Sequence, residues 1–426
     1  MTTAIGSRLA QEYTKIRRSV IARNAGWMMA GQGIGVVSQA IYFVVLAHLL
    51  GAVEFGIFAG AYAFTNLAAP YSPLGTGTVF LRYVSLDRNQ SKAYWGNVVM
   101  VTATIGGLLV VGLHLLGRHL LNPSSAHLVA LAAFANCLCA QLTLESGRVF
   151  QAFEKLRITA ILNLLTNVAR ALTAVAMLLT LHHATAFQWM IATTVVSFAV
   201  AVTAVIAATV LCGPPRPKPR LFLKHGVEGF GYSFAVSTCS VYNDIDKTML
   251  SHYGMNLANG IYTMAYRAVD IATLPILSIR DAALPRFFQR GAAGLGSASE
   301  LSYKLLKRAF PLALAAAAVL FLAAPLIPRI LGHGFLSSVE ALRWLCLIPV
   351  FRSVHQMTGS SLTGAGLQNY RTGAQVVAAG LNFFLNLWLI PNYGWHGAAW
   401  SSLVTDGALG VMNWSLLLLL RLRRGA

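Results

Sequence analysis

Apolar stretches of about twenty residues recur from residue 26 to residue 420, separated by short polar segments. Each is long enough to cross ~30 Å of hydrocarbon as a helix. Only 11% of the chain is charged and 56% is hydrophobic, against about 25% charged residues in soluble domains. The pattern reads as an all-α integral membrane protein with about twelve transmembrane helices. The spans fall near 26–48, 55–76, 95–116, 126–147, 157–180 and 187–211, then 227–250, 259–280, 309–332, 338–361, 372–391 and 396–420. Between the two sets lies Gly213-Pro214-Pro215-Arg216-Pro217-Lys218-Pro219-Arg220, which cannot be helical throughout because its prolines remove donors and clash with preceding carbonyls. The organisation expected is therefore a segment 1–25, a six-helix bundle 26–211, a linker 212–226, a second six-helix bundle 227–420 and a basic tail 421–426.

The distribution of charge orients this map. With the N-terminus inside, 25 of the 32 Lys and Arg fall in inside segments or in the tail, including Arg421, Arg423 and Arg424. The outside segments hold Arg118 and Arg329. The positive-inside rule thus predicts that both termini are cytoplasmic. A net charge of +19 would suggest nucleic acid on a soluble chain. Here the basic clusters sit between apolar spans and fit the anionic inner face of a membrane, so membrane lipids and not nucleic acid are the expected partners. Ser7 to Asn24 carries Arg8, Lys15, Arg17, Arg18 and Arg23 among apolar residues; it reads either as an amphipathic helix on the inner leaflet or as a solvated tail. No cleavable signal peptide is evident, because the first apolar run is too long for one. Cys137, Cys139, Cys212, Cys239 and Cys346 lie in or beside spans. They outline no disulfide framework and no metal site, and pack as small apolar side chains.

The two halves share a weak repeat. Gly56-Ile57-Phe58-Ala59-Gly60-Ala61-Tyr62 opens the second span and Gly260-Ile261-Tyr262-Thr263-Met264-Ala265-Tyr266 the eighth, each after a short turn containing Gly51 or Gly254. An even number of spans per half permits a pseudo-two-fold axis along the membrane normal, as in some transporters. Pro70 and Pro73, before Gly75 and Gly77, interrupt the second span, and Pro275 is expected to interrupt the eighth.

The chain resembles the polysaccharide (O-antigen/exopolysaccharide-type) flippase branch of the multidrug/oligosaccharidyl-lipid/polysaccharide exporter superfamily. The resemblance is carried by Leu49-Leu50-Gly51-Ala52-Val53-Glu54-Phe55-Gly56, by Leu74-Gly75-Thr76-Gly77 with Arg82, and by Asn243-Asp244-Ile245-Asp246-Lys247 followed by Tyr253-Gly254. Gly260-Ile261-Tyr262 with Ala265-Tyr266-Arg267, and Pro391-Asn392-Tyr393-Gly394 before Gly397-Ala398-Ala399-Trp400, complete it. The resemblance implies two six-helix bundles around a central cavity that opens to one side at a time. It also implies movement of a polyprenyl-pyrophosphate-linked oligosaccharide from the inner to the outer leaflet of the bacterial cytoplasmic membrane for surface polysaccharide biosynthesis. Such a chain is a transporter and not an enzyme, and its short outer loops leave no room for a catalytic domain. The alternatives are a cation-coupled drug exporter of the same superfamily, whose site would favour acids, and a peptidoglycan-precursor flippase, whose relatives usually carry two further helices. A monomer is expected, with association to polymerisation machinery open.

Charge inside a bilayer marks functional candidates. The cations are Arg170, Lys247, Arg267, Arg343 and Arg352; the acids are Asp244, Asp246, Asp270 and Asp406, with Glu145 near a span end. A pyrophosphate head group needs compensating cations, and arginine binds phosphate in a forked geometry. Arg267, Arg170, Arg352, Lys247 and Arg343 are therefore the head-group candidates, with Arg343 and Arg352 as rungs of a ladder ~13 Å apart along an ideal helix. The competing reading is that these cations pair with acids and hold helices together, as Arg267 and Asp270 do if they share a helical face. Asp246 and Lys247, being adjacent, are expected to point apart and to need separate partners. Arg343 is also placed to snorkel to water from an outer end.

Tyr62, Tyr242, Tyr266 and Gln39 are the sugar-facing candidates, since sugars stack on aromatic faces. Trp95, Trp189, Trp395 and Trp400, near span ends, read as interfacial belt residues. No Walker-type loop is present, so no cofactor is expected. Drive must come from H+ or Na+ bound at Asp246, Asp270 or Asp406, or from the membrane potential.

Overall fold

The computed structural model describes the backbone of residues 2–423 and the side chains of residues 37–422. The segment Ser7 to Asn24 and the tail residues Arg423 and Arg424 lie outside the side chains described. Among the described residues all regular structure is helical, as hydrocarbon demands, because a helix satisfies its own backbone donors and acceptors.

Helix Thr2–Ala68 turns at Gly51, whose φ of 68° and ψ of 176° suit a residue without Cβ. This separates α1 (2–50) from α2 (52–84). α2 is interrupted as the prolines predict. A 3-10 turn at Ala69–Tyr71 is followed by Leu74 and Gly75 at φ 43° and 67°, and helix resumes at Thr76–Val84. Then come α3, Ser91–Leu120, and α4 (123–152), which starts at an Asn122 cap with Pro123 in first position and contains a π-helical turn at Phe134–Ala140. α5 is Leu156–Leu181, and α6 is Ala186–Cys212, opened by a Thr185–Gln188 capping box. After the proline-rich linker the second lobe holds α7, Pro219–His252, and α8, Asn256–Ala292. α9 is Leu295–Ala323, and α10 (338–364) joins Ser338–Leu345 to Ile348–Gly364. α11, Gln368–Tyr393, and α12, Trp395–Arg423, complete it. Among the described residues the molecule is thus a twelve-helix, two-lobed membrane protein.

Among the described residues eight helical stretches, the first of them running from α1 into α2, are long and apolar enough to cross a membrane on those criteria alone. α7, α8 and α10 fall short of that test, and they are the helices that carry Asp244, Asp246, Lys247, Arg267, Asp270 and Arg352. Their deficit in hydropathy is the polar lining of an internal cavity.

Three expectations are corrected. α8 passes through Pro275 and Pro285 as one helix, so the interruption of α2 has no counterpart there; packed neighbours tolerate the lost hydrogen bond. Trp95 and Trp189 are fully buried and are core residues, not belt residues. Trp95 Nε1 donates to Thr209 Oγ1 at 3.0 Å, tying α3 to α6, while Trp189 packs among Leu46, Phe58 and Met190. Trp395 is also buried, in the second lobe's core with Ile390, Ala398 and Leu345.

The repeated glycines meet. A Cβ on Gly56 would overlap the carbonyl oxygen of Asn256, and one on Gly260 would overlap that of Ala52. The contact is reciprocal, as a pseudo-two-fold axis requires, and it needs glycine on both sides. Asn259 Nδ2 donates to Gly56 O at 3.0 Å. Asn122 Nδ2 donates to Asn256 Oδ1 at 3.0 Å and also to Ser251 O. These bonds hold the lobes together at the end bearing the α1–α2 and α7–α8 turns. At the opposite end Arg82 meets Glu228 at 2.6 Å, and Gly75 is pressed against the Gly229 carbonyl. There α2 also docks on α4, where Gly77 leaves room for the buried Glu145 carboxylate, itself held by Arg148 at 2.8 Å.

Candidate functional site

Two cavities, each of about 300 Å³, one between the lobes and one in the C-terminal lobe, share Asp244, Lys247 and Arg267 as a common wall. The first faces the N-terminal lobe. Gln39, Tyr42 and Phe43 come to it from α1, Phe58, Tyr62 and Asn66 from α2, and Arg170 from α5. The second lies within the C-terminal lobe and is lined by Tyr242, Asn243, Tyr266, Asp270, Arg280, Arg352, His355 and Gln356. Together the linings carry five cations, Arg170, Lys247, Arg267, Arg280 and Arg352, and two carboxylates, Asp244 and Asp270.

The cations differ in how they are held. Arg170 donates to Ser197 Oγ at 3.2 Å, while its Nε is buried without an acceptor. Among the described residues no carboxylate lies within 4 Å of it. Arg267 meets Asp270 at 3.3 Å, lies 5.1 Å over the Phe43 ring, and also keeps a buried Nε without an acceptor. Arg352 is the most tightly bound. It donates to Asp270 Oδ1 at 2.9 Å and to the Tyr266 hydroxyl at 2.9 Å, and stands 3.8 Å from Asp406. Asp406 is in turn 3.3 Å from His355.

Lys247 does not part from its neighbour as the sequence suggested. Its Nζ lies 3.3 Å from Asp246 Oδ1 and 3.3 Å from Asp244 Oδ1, donates to the Asn243 carbonyl, and sits 4.5 Å from the Tyr266 ring centre. A long flexible stem folds back over its own helix, which adjacency in sequence alone does not reveal. Asp246 is fully buried and accepts from Tyr262 and from Ser402 Oγ, the latter at 3.3 Å. Asp244 also accepts from Asn66 Nδ2 at 2.6 Å, a tie from lobe to lobe.

Of the remaining candidates, Tyr62 and Gln39 line the first cavity, and Tyr242 and Tyr266 the second. Arg343 departs from the expected ladder. It is exposed and stacks 5.1 Å over Phe321, outside both cavities, because α10 breaks between Leu345 and Ile348 and Arg343 does not share the face of Arg352. Asn167, Arg280, His355 and Gln356 are lining residues that the sequence did not single out. Their polarity within or beside apolar spans was the available signal, and Arg280 was hidden by its place in a basic loop cluster.

Two six-helix lobes that meet in the reciprocal Gly56–Gly260 contact, with a polar cavity at their interface, define a multi-pass membrane protein with the architecture of the multidrug/oligosaccharidyl-lipid/polysaccharide exporter superfamily. The chain is similar in fold to the lipid II flippase MurJ in an inward closed conformation, at 13% identity, with a TM-score of 0.74 over 91% of this chain and 86% of that one. It is also similar to an inward-facing multidrug resistance MATE family transporter of the MOP superfamily, at 15% identity and a TM-score of 0.67, covering 94% of each chain. A third similar structure is a MOP superfamily transporter from Pyrococcus furiosus described as having a binding pocket of reverse polarity, at 15% identity and a TM-score of 0.64, covering 93% of this chain and 96% of that one. No curated protein sequence matches the chain. The model of the family described as polysaccharide biosynthesis protein matches residues 21–290, and the chain belongs to that family.

Proposed function

We propose that the protein flips a polyprenyl-pyrophosphate-linked oligosaccharide from the inner to the outer leaflet of a bacterial cytoplasmic membrane by alternating access. The observation that carries this reading is Arg170, a half-buried cation whose Nε is buried without an acceptor and which has no carboxylate within 4 Å among the described residues, lining an aromatic-walled cavity together with Arg267. Burying a charge without a counter-ion is unfavourable by several kcal/mol. A mobile anion that fills the gap recovers that energy during transport and not at rest.

The family supports a role in polysaccharide biosynthesis, and the fold supports a transporter over an enzyme. Tyr62 and Gln39 on one side, with Tyr242 and Tyr266 on the other, offer stacking faces and polar edges for sugars. A drug exporter built for lipophilic cations is disfavoured, because both lining carboxylates, Asp244 and Asp270, already sit against Lys247, Arg267 or Arg352.

Coupling is proposed at Asp270 and Asp406, which touch Arg352, and at Asp246, which touches Lys247. Protonation of any of them would free a cation for the head group. The membrane potential assists as well, since an anion leaving a negative interior gains ~2.3 kcal/mol per charge per 100 mV.

Depletion of the protein in its own cells, read with a leaflet-specific probe for polyprenyl-linked oligosaccharide, is the test. Completed units should accumulate on the inner leaflet, and Arg267→Glu should reproduce the defect with membrane insertion intact. Unchanged sidedness of lipid-linked units after depletion would exclude this cargo.

A further inference from the structure

At the far end of the second cavity, away from Arg170, two guanidinium groups converge on one neutral oxygen. Gln356 Oε1 accepts from Arg280 Nη1 at 2.7 Å and from Arg371 Nη2 at 3.5 Å. Arg280 and Gln356 line the cavity. Arg371 stands behind them on α11, steadied by Thr363 Oγ1 at 2.9 Å. Gly359 makes the space: a Cβ there would lie 2.9 Å from Arg371 Nε.

Charge is not balanced at this point. Arg280 has Asp281, which is 54% exposed and 2.6 Å away. Among the described residues Arg371 has no carboxylate within 4 Å. It also lies in the first turn of α11, whose cap residue Leu367 provides no side-chain acceptor, so the helix end adds positive potential where a cation already sits. A single amide oxygen is a weak acceptor for two guanidinium groups. A phosphate oxygen in its place would accept from both in forked, charge-assisted bonds.

We propose that Arg280, Gln356 and Arg371 form a second anion subsite, where a phosphate or pyrophosphate oxygen displaces the Gln356 carbonyl. This rests on the reading that the cargo carries an anionic head group. Arg280 and Arg267 are thirteen residues apart on α8, so the subsite lies ~20 Å along the helix from the central cations. The positive-inside reading of the sequence assigns this end, beside the α10–α11 turn, to the inner face. The subsite therefore captures the head group on entry, and Arg352, Arg267 and Arg170 receive it in turn. Gln356 holds the two cations together while the subsite is empty.

The test uses the full chain in phosphatidylcholine nanodiscs, titrated with farnesyl pyrophosphate and with inorganic pyrophosphate. Arg371→Gln removes the uncompensated charge. Gln356→Glu supplies a built-in carboxylate that competes with the ligand while tying both arginines, so its melting temperature should not fall. Each variant should weaken farnesyl pyrophosphate binding about tenfold or more. Weakening of both probes by the same factor identifies recognition of the oxyanion alone. Weakening of farnesyl pyrophosphate only identifies a lipid-linked head group, and either result supports the subsite. Wild-type affinity in both variants, with binding lost in Arg170→Gln, would overturn the subsite and leave the head-group reading standing. Failure of the wild-type chain to bind either probe would bring down both.

Discussion

The two walls of the cavity handle charge in opposite ways. On the N-terminal side Arg170 stands without a carboxylate among the described residues, surrounded by Tyr42, Tyr62 and Phe58. On the C-terminal side nearly every charge has a partner: Arg267 with Asp270, Asp270 with Arg352, Arg352 with Asp406, Asp406 with His355, and Lys247 with Asp244 and Asp246. An uncompensated buried cation destabilises the resting protein and has an energetic reason to bind an anion. A paired cation is satisfied already, and breaking its pair is what destabilises. Intramembrane arginines are thus not equivalent, and the difference shows in stability as well as in transport.

Melting temperatures separate the two walls by sign. Arg352→Gln leaves Asp406 with only His355 beside it and Asp270 with only Arg267. The arginine is only 12% exposed and Asp406 only 5%, so the expected loss is about 3 kcal/mol, seen as a clear fall in melting temperature of the purified protein. Arg170→Gln removes a charge that nothing neutralises, and the melting temperature should hold or rise while export fails. A fall for Arg170→Gln as large as that for Arg352→Gln would show that the N-terminal wall is also a structural pair and would erase the comparison.

Next in size is the contact that hinges the walls. Gly260→Val places side-chain atoms against the Ala52 carbonyl, and it should abolish export by forcing the lobes apart at that end. Crosslinking of cysteines introduced at positions 52 and 334, where a Cβ at 334 would lie 3.9 Å from that of Ala52, reports the separation; undiminished crosslinking in the Gly260→Val chain would mean the lobes tolerate the bulk by sliding. A smaller effect is expected for Tyr266→Phe. Losing the hydroxyl that receives Arg352 Nη2 at 2.9 Å costs about 1 kcal/mol, and it should lower the melting temperature by less than Arg352→Gln does. Smallest is Glu228→Gln. Arg82, its partner at the other end of the interface, is 58% exposed, and pairs of that kind contribute at most about 1 kcal/mol. Export should change little, and a large loss would make this ion pair an essential closure of that end.

The sequence anticipated the cations but not their division. Arg170, Lys247, Arg267 and Arg352 could be chosen because charge in an apolar span is conspicuous, and all four line the cavities. Arg343 was chosen on the same ground, yet it faces outward, because a short break in α10 turns it from the Arg352 face. Trp95 and Trp189 sit close to span ends, but sequence position does not say that the third and sixth helices close over them. Arg280 belongs to a basic loop cluster by position and Arg371 is the lone cation of its loop, and only their convergence on Gln356 sets them apart from ordinary inside-facing charge.

The sequence by itself determined the elements: the length and spacing of apolar runs, the proline-rich break at 213–220, the turn glycines Gly51 and Gly254, and the polar helices that needed shelter from lipid. These are local consequences of hydrocarbon thickness and backbone hydrogen bonding, which act on each segment separately. Tertiary structure alone decided which glycines touch across the lobes, and which cation found a carboxylate and which was left without one. Those outcomes depend on contacts between residues more than a hundred positions apart, such as Asn66 with Asp244 and Arg352 with Asn243. No local rule links such positions, because pairing is settled by how helix faces rotate when both lobes bury their surfaces against each other.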